Sequence, residues 1–324
     1  MRRKKIVVIG GGTGNFTVLQ GLKNHPVDLS VIVSMADDGG STGILRDELG
    51  VLPPGDVRQC LIALSNSSRL MRVLMNYRFE NGHLEGHSFG NLFLSSLEKI
   101  TGSFEKAVEE VGKILFIKGK VLPVTTHHVR LKMVLKKNDK ILEGEKNIYL
   151  SDEIEHGYKK IFLKPDPKVN PRVITEIMHA DLIIMSPGSL YTSIIPNLLV
   201  ENVSKALTES SAKKVFIVNL MNRKGQTSNY KTSNYLKEIL KFIKEDIFDY
   251  IIVNNKMPSN ELIKEYAKEG DLVQNDLHDN RTIIADLLGD VLKKNTSDSL
   301  IKRSLIRHDS KKLGKELMKI VNNI

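Results

Sequence analysis

Ile6-Val7-Val8-Ile9-Gly10-Gly11-Gly12-Thr13-Gly14-Asn15 decides how this chain is read. Four β-branched residues run without a polar break, as in a strand buried on both faces of a parallel sheet. A glycine run and a helix-compatible segment follow. Glycine permits tight turns and close approach of a ligand to the backbone. The free N–H groups and dipole of the following helix favour an anion, typically phosphate.

Leu29-Ser30-Val31-Ile32-Val33 reads as a second buried strand. It runs into a second glycine-rich loop, Ser34-Met35-Ala36-Asp37-Asp38-Gly39-Gly40-Ser41-Thr42-Gly43. The unit is β-α-β, with loops at strand C-terminal ends, where open α/β sheets bind ligands. Pro53-Pro54-Gly55-Asp56 opens a helix over about 56–65, and helical periodicity resumes over 68–78, 88–100 and 103–114. From about 118 the pattern turns to short strands at 120–124, 129–135, 146–150 and 160–164, so that 118–165 reads as a β-rich insertion. The α/β alternation returns with a helix from Pro171. Strands follow at 181–185, 214–218 and 250–253, and helices near 196–209, 231–245, 259–268, 281–294 and 309–322. The expected architecture is α/β: one Rossmann-like domain over 1–324, with a mostly parallel sheet, helices on both faces and the β-rich insertion.

Composition narrows the function classes. The 324 residues are 41% hydrophobic and 27% charged, enough for a real core. No apolar run is long enough for a membrane span. The basic start leads into an apolar run too short for a signal-peptide core, which predicts a cytoplasmic protein. Cys60 is the sole cysteine, which excludes an internal disulfide and a cysteine-based zinc site. Net charge is +10, yet the lysines are scattered at helical spacing and aromatics are only 6%, so no nucleic-acid partner is expected.

The first loop departs from the dinucleotide fingerprint G-x-G-x-x-G, because Asn15 stands in the third glycine position. This disfavours an NAD-dependent oxidoreductase, and the lack of Gly-Lys-Ser/Thr disfavours a P-loop. Asp37 and Asp38 allow two readings, contact with a sugar or ribose hydroxyl and coordination of Mg²⁺ beside a phosphate. Ser41 and Thr42 add short hydroxyls. Asn91, within His87-Ser88-Phe89-Gly90-Asn91-Leu92, places an amide in an apolar helix, where a ligand or a helix neighbour must pair it. Ser186-Pro187-Gly188-Ser189 follows a buried strand and offers a second anion nest. No G-x-S-x-G elbow supports a hydrolase. Asn219 and Asn254 end strands at the same edge, and Arg307 supplies a cation near the C-terminus.

Six stretches occur in a fixed order: Ile9 to Gly14, Asp37 to Gly43, Pro54-Gly55-Asp56-Val57-Arg58, Gly86 to Leu92, Ser186 to Ser189, and Ile306-Arg307-His308-Asp309. Together they resemble the gluconeogenesis factor family of the YvcK type, in a superfamily shared with 2-phospho-L-lactate transferase. The resemblance covers essentially the whole chain. It implies a Rossmann-like fold, a bound UDP-sugar, notably UDP-N-acetylglucosamine, and a cytoplasmic role in cell shape and envelope synthesis during growth on gluconeogenic carbon sources. Protein partners in envelope synthesis and a homo-oligomer accord with that role. The related transferases use Mg²⁺ to pass a phospholactyl group, so a Mg²⁺-dependent transferase is the alternative, with Asp37 and Asp38 as ligands. On the binder reading the diphosphate lies on Gly10, Gly11, Gly12, Thr13, Gly14 and Asn15 and on Ser186, Gly188 and Ser189. Asp37 or Asp38 holds a sugar hydroxyl, Asn91 and Asn219 give polar contacts, and Arg307 neutralises phosphate. One departure stands out: Gln226 occupies a position where relatives commonly carry glutamate.

Overall fold

The computed structural model describes residues 2–290 and 306–324. In chain order the first half comprises β1 (Lys4–Gly10), α1 (Gly12–Leu22), β2 (Val27–Val33), α2 (Gly40–Leu49), α3 (Gly55–Leu64), α4 (Arg69–Asn76), α5 (Phe89–Thr101), α6 (Phe104–Ile114) and β3 (Lys120–Pro123). Then come β4 (Arg130–Leu135), β5 (Ile141–Glu143), α7 (Glu145–Leu150), β6 (Tyr158–Lys164), α8 (Pro171–Met178) and β7 (Leu182–Met185). The remainder is α9 (Ile195–Leu198), α10 (Val203–Glu209), β8 (Lys213–Ile217), α11 (Thr232–Ile243), β9 (Tyr250–Asn254), α12 (Asn260–Tyr266), β10 (Thr282–Ala285) and α13 (Ser310–Asn322).

Among the described residues, seven strands form one sheet in the order β10-β9-β8-β7-β1-β2-β3, and every adjacent pair is parallel. Ile6, Val7, Val8 and Ile9 are all at most 1% exposed, because helices cover both faces of the central strand. On one side α1 packs against α3 and α13; α8, α10 and α11 form another contiguous layer. The expected Rossmann-like α/β architecture therefore holds. From β1 the chain winds outward through β2 to β3, and from β7 it winds the other way through β8 to β9 and β10. The order reverses between β1 and β7, and a crevice forms beyond the C-terminal ends of two such strands.

Several local expectations need correction. β3 pairs parallel with β2 and belongs to the main sheet. The insertion proper is the antiparallel sheet β5-β4-β6, spanning 130–164. Residues 146–150, expected as a strand, lie in α7, which follows Gly144 at a positive φ (93°). The strand in that region is β5, three residues earlier. Ser41 and Thr42 lie in the first turn of α2 and not in a loop; the poor helix formers Gly40 to Gly43 hid its start. The helix expected over 196–209 is broken into α9 and α10, with Asn202 left-handed at the break (φ 66°). The helix expected over 281–294 is replaced by β10 on the sheet edge, where Thr282-Ile283-Ile284 favours extended chain, while 291–294 lie outside the described residues.

Candidate functional site

The β1–α1 loop and the β7 turn meet face to face at the switch point. A Cβ on Gly14 would lie 1.6 Å from the Pro187 carbonyl oxygen, and one on Gly10 would lie 2.1 Å from Ser186 Oγ. Both glycines are demanded by this close approach. The same packing explains Asn15. Ser186 Oγ donates to Asn15 Oδ1 at 2.8 Å, and Asn15 Nδ2 donates to the Ile32 carbonyl at 3.4 Å. The departure from the dinucleotide fingerprint is thus a buried brace tying β1, β2 and β7 together. Gly10, Asn15 and Ser186 hold the crevice in shape but do not line its cavities.

Two cavities open here and share Asp56, Tyr149 and Ser193. The first, about 360 Å³, is lined by Gly11, Gly12, Thr13 and Gly14 at the start of α1, by Gly188 and Ser189, by Asn219 and by Arg307. The Ser189 hydroxyl is buried and has no hydrogen-bond partner among the described residues. Asn219 is fully engaged with the turn: its Oδ1 accepts from Gly188 N–H at 2.9 Å and its Nδ2 donates to Gly188 O at 2.8 Å. Next to Arg307, His308 is buried and its pKa is lowered to about 4, chiefly by desolvation, so the imidazole is neutral and Arg307 is the cation.

The second cavity, about 510 Å³, is lined by Asp37, Ser41, Thr42, Asp56, Arg58, Arg78, Asn91 and Glu145, among others. Asn91 sits at its base, accepting from Arg58 Nε at 2.8 Å and donating to Ser41 Oγ at 3.3 Å. Ser41 Oγ also contacts His87 Nδ1 at 3.1 Å. Arg58 is 6% exposed and is further anchored by Met75 O and Asn76 Oδ1. Burial, and secondarily Arg78, lowers its pKa to about 10, so it stays charged at neutral pH.

Asp37, Asp56 and Glu145 make an acidic wall. Burial raises the pKa of Asp56 to about 7, with Asp37 raising it further and a hydrogen bond from Gly12 N–H opposing. Burial and Asp37 raise Glu145 to about 8. Asp37 is also raised, mainly by burial, against hydrogen bonds from Gly39 N–H and Thr42. Carboxyls crowded in low dielectric cannot all ionise, so they hold protons or await a cationic or hydroxyl-bearing group.

Asp38 plays another part. Its Oδ1 accepts from Lys146 N–H at 2.8 Å at the start of α7, and its Oδ2 lies 3.6 Å from Arg130 on β4. It fastens the small sheet to the main domain and does not line either cavity. Sugar contact and shared Mg²⁺ are the two readings that the sequence allows for Asp37 and Asp38, and in the structure Asp37 lines the second cavity while Asp38 turns to the insertion. Among the described residues, no three His, Cys, Asp or Glu side chains are grouped to hold a metal ion. Gln226 has a structural task too. Its Nε2 donates to Ile148 O at 3.0 Å and Tyr149 O at 2.7 Å, which an ionised glutamate cannot do. Asn254 is a strand-end turn residue, bonded to Lys256 and to Leu287 N–H.

Sequence reasoning passed over Arg58 and Glu145 and took Asp56 only as a helix start. Asp56 and Arg58 sit within the Pro54-Gly55-Asp56-Val57-Arg58 stretch, two apart on a buried helix, which was a usable signal. Glu145 gave none, because the helix that carries it was read as a strand.

The model of the 2-phospho-L-lactate transferase CofD family matches residues 6–296. The gluconeogenesis factor of Bacillus subtilis is 38% identical over 325 residues, covering 99% of each chain. That of Halalkalibacterium halodurans is 42% identical over 271 residues, covering 83% of each. The crystal structure of a UPF0052-family protein from Bacillus halodurans superposes with a TM-score of 0.87 at 37% identity, covering 98% of this chain and 99% of that one. With its fold, its paired loops and these similarities in agreement, the chain belongs to the gluconeogenesis factor family, within the superfamily of 2-phospho-L-lactate transferase CofD.

Proposed function

We propose that this chain is a cytoplasmic UDP-sugar-binding regulator, with UDP-N-acetylglucosamine as its ligand, required for cell shape and envelope synthesis on gluconeogenic carbon sources. The observation that carries the reading is the switch-point crevice. The N-terminus of α1 faces the Ser186–Ser189 turn across a cavity with Arg307 in its wall, and a second polar cavity adjoins it through Asp56, Tyr149 and Ser193. Helix N-terminal amides and a guanidinium are the groups that bind a diphosphate. Carboxyls, a buried arginine and an amide around the second cavity suit a hydroxyl-rich sugar, with Asp37 and Asn91 reaching it. Asn219 acts by shaping the turn. Response to this ligand would be passed to protein partners in envelope synthesis or through a homo-oligomer.

Isothermal titration with UDP-N-acetylglucosamine, UDP and free N-acetylglucosamine tests the reading. The expected result is saturable binding of the nucleotide sugar, competition by UDP, and no detectable binding of the free sugar. Absence of heat and of competition at millimolar nucleotide sugar overturns it.

A transferase similar to 2-phospho-L-lactate transferase is the second reading, favoured by the family match over 6–296 and by the acidic wall beside the crevice. Release of UMP from the nucleotide sugar in the presence of Mg²⁺ and a hydroxyl-bearing acceptor, with the sugar phosphate joined to that acceptor, would support it. Binding that is independent of Mg²⁺ and leaves the sugar intact would favour the regulator.

A further inference from the structure

The edge of the sheet opposite the crevice has its own chemistry. At the N-terminal ends of β1, β2 and β3 lies a basin of about 610 Å³, lined by Arg3, Lys5, Lys23, Lys118 and Lys120 against Asp28 and Glu176. Glu176 is already taken, pairing with Lys120 at 2.6 Å and accepting from Ser30 Oγ at 2.7 Å. Lys23 is half-buried, and its pKa is lowered first by burial and then by Arg72 and Lys118. Like charges therefore converge in a partly desolvated hollow.

Two large apolar side chains are exposed on segments tied to the basin's cations. Phe116 is 72% exposed and Leu70 is 77% exposed. The backbone links them to the cations. Lys23 Nζ donates to Ser65 O at 3.3 Å, Asn66 N–H to Phe116 O at 3.3 Å, and Ser67 N–H to Leu115 O at 3.2 Å, just before α4 and Leu70. Phe116 follows the end of α6 with φ 49°, a left-handed position that glycine ordinarily fills. Lysines near helix C-termini are favoured by the helix dipole, which accounts for their sign. It does not account for a phenylalanine and a leucine exposed next to them.

We propose that this edge docks on an anionic lipid surface. Phe116 and Leu70 enter the acyl boundary, while Lys23, Lys118 and the neighbouring cations of the basin take the lipid phosphates. Paired apolar and basic contacts are the combination by which peripheral proteins hold such surfaces. A nucleic-acid partner would use the cations and leave both apolar side chains in water, so the lipid accounts for more of the patch. The crevice opens at the other edge of the sheet, and docking in this way leaves it facing away from the membrane.

The test is sedimentation of the full chain with vesicles of phosphatidylcholine alone and of phosphatidylcholine mixed with phosphatidylglycerol, at low and high salt. Binding to the anionic vesicles should be at least ~10-fold stronger at low salt and should collapse at high salt. Lys23→Glu combined with Lys118→Glu should weaken it by ~25-fold or more, at about fivefold or more for each reversed charge. Phe116→Ser with Leu70→Ser should weaken it while preserving the salt dependence. Lys118→Glu with Lys120→Glu serves if the Lys23 variant unfolds, and an unchanged urea midpoint certifies each variant. Absence of binding to anionic vesicles at low salt, equal binding to phosphatidylcholine alone, or insensitivity to the charge and apolar variants overturns the proposal. Retention on single-stranded DNA without vesicle binding overturns it in favour of a nucleic-acid surface.

Discussion

Gly14→Ala is expected to lower the unfolding free energy by roughly 3 kcal/mol or more, and to weaken UDP-N-acetylglucosamine binding by ~100-fold or more. The added Cβ would stand 1.6 Å from the Pro187 carbonyl oxygen. That oxygen belongs to backbone at the end of a central strand and cannot rotate aside as a flexible side chain can. Either α1 or the β7 turn must retreat. A retreat also strains the Ser186–Asn15 hydrogen bond and widens the space across which a diphosphate would be held. Urea unfolding and calorimetric titration of the variant measure the two effects separately. Wild-type stability together with wild-type affinity would show that the two loops are not in the contact described.

Asp56→Asn is expected to stabilise the protein by roughly 2–4 kcal/mol at pH 8, and to have little effect near pH 4, since each unit of pKa shift is worth ~1.4 kcal/mol. The direction follows from the raised carboxyl. Asp56 ionises near the ordinary 3.8 of an aspartate when unfolded but only at about 7 in the fold, where burial and Asp37 oppose its charge. Below the unfolded value both states are protonated and Asp56 makes no difference. As pH rises from there toward 7, the unfolded chain releases its proton and gains over the fold. Above about 8 the full penalty is present. Glu145, raised to about 8, acts in the same sense. Asparagine removes the charge and keeps an oxygen for Gly12 N–H. A phosphate placed at the start of α1 faces the Asp56 carboxylate, so wild-type affinity should fall between pH 6 and 8 and the variant should flatten that fall. Unfolding curves at a series of pH values decide the stability arm. A stability difference between Asp56→Asn and the wild type that stays constant or narrows from pH 5 to 8 would contradict it.

Much of the fold was legible because its central strands leave little choice. Ile6 to Ile9 and Leu182 to Met185 are apolar on both faces, and only a sheet covered on both sides buries them so. The two loops at the switch point were visible for a related reason, since glycines and short hydroxyls follow directly on those strands. What could not be read was the partner of each loop residue. Asn15 meets Ser186 across 171 positions of sequence, and nothing local distinguishes a ligand-facing amide from a buried brace. Asp38 shows the same limit. It looks equivalent to Asp37, yet it points to Lys146 and Arg130, contacts that exist only once the insertion has folded onto α2. Glu145 was hidden by a wrong period: Asn147-Ile148-Tyr149-Leu150 has the residue types of a strand, yet it lies in a helix that follows Gly144 at a positive φ. The edge strand β3 was assigned to the insertion because a four-residue run carries no sign of which sheet it joins.

The central claim is that the start of α1 holds a diphosphate at the β1/β7 switch point. A crystal structure of the chain grown with UDP-N-acetylglucosamine tests it most directly. The account predicts both phosphates against the backbone N–H groups of Gly11 to Gly14, with Arg307 closing on them and the sugar in the cavity between Asp37 and Asn91. Phosphates seated away from α1, or a nucleotide sugar bound outside this crevice, would contradict it.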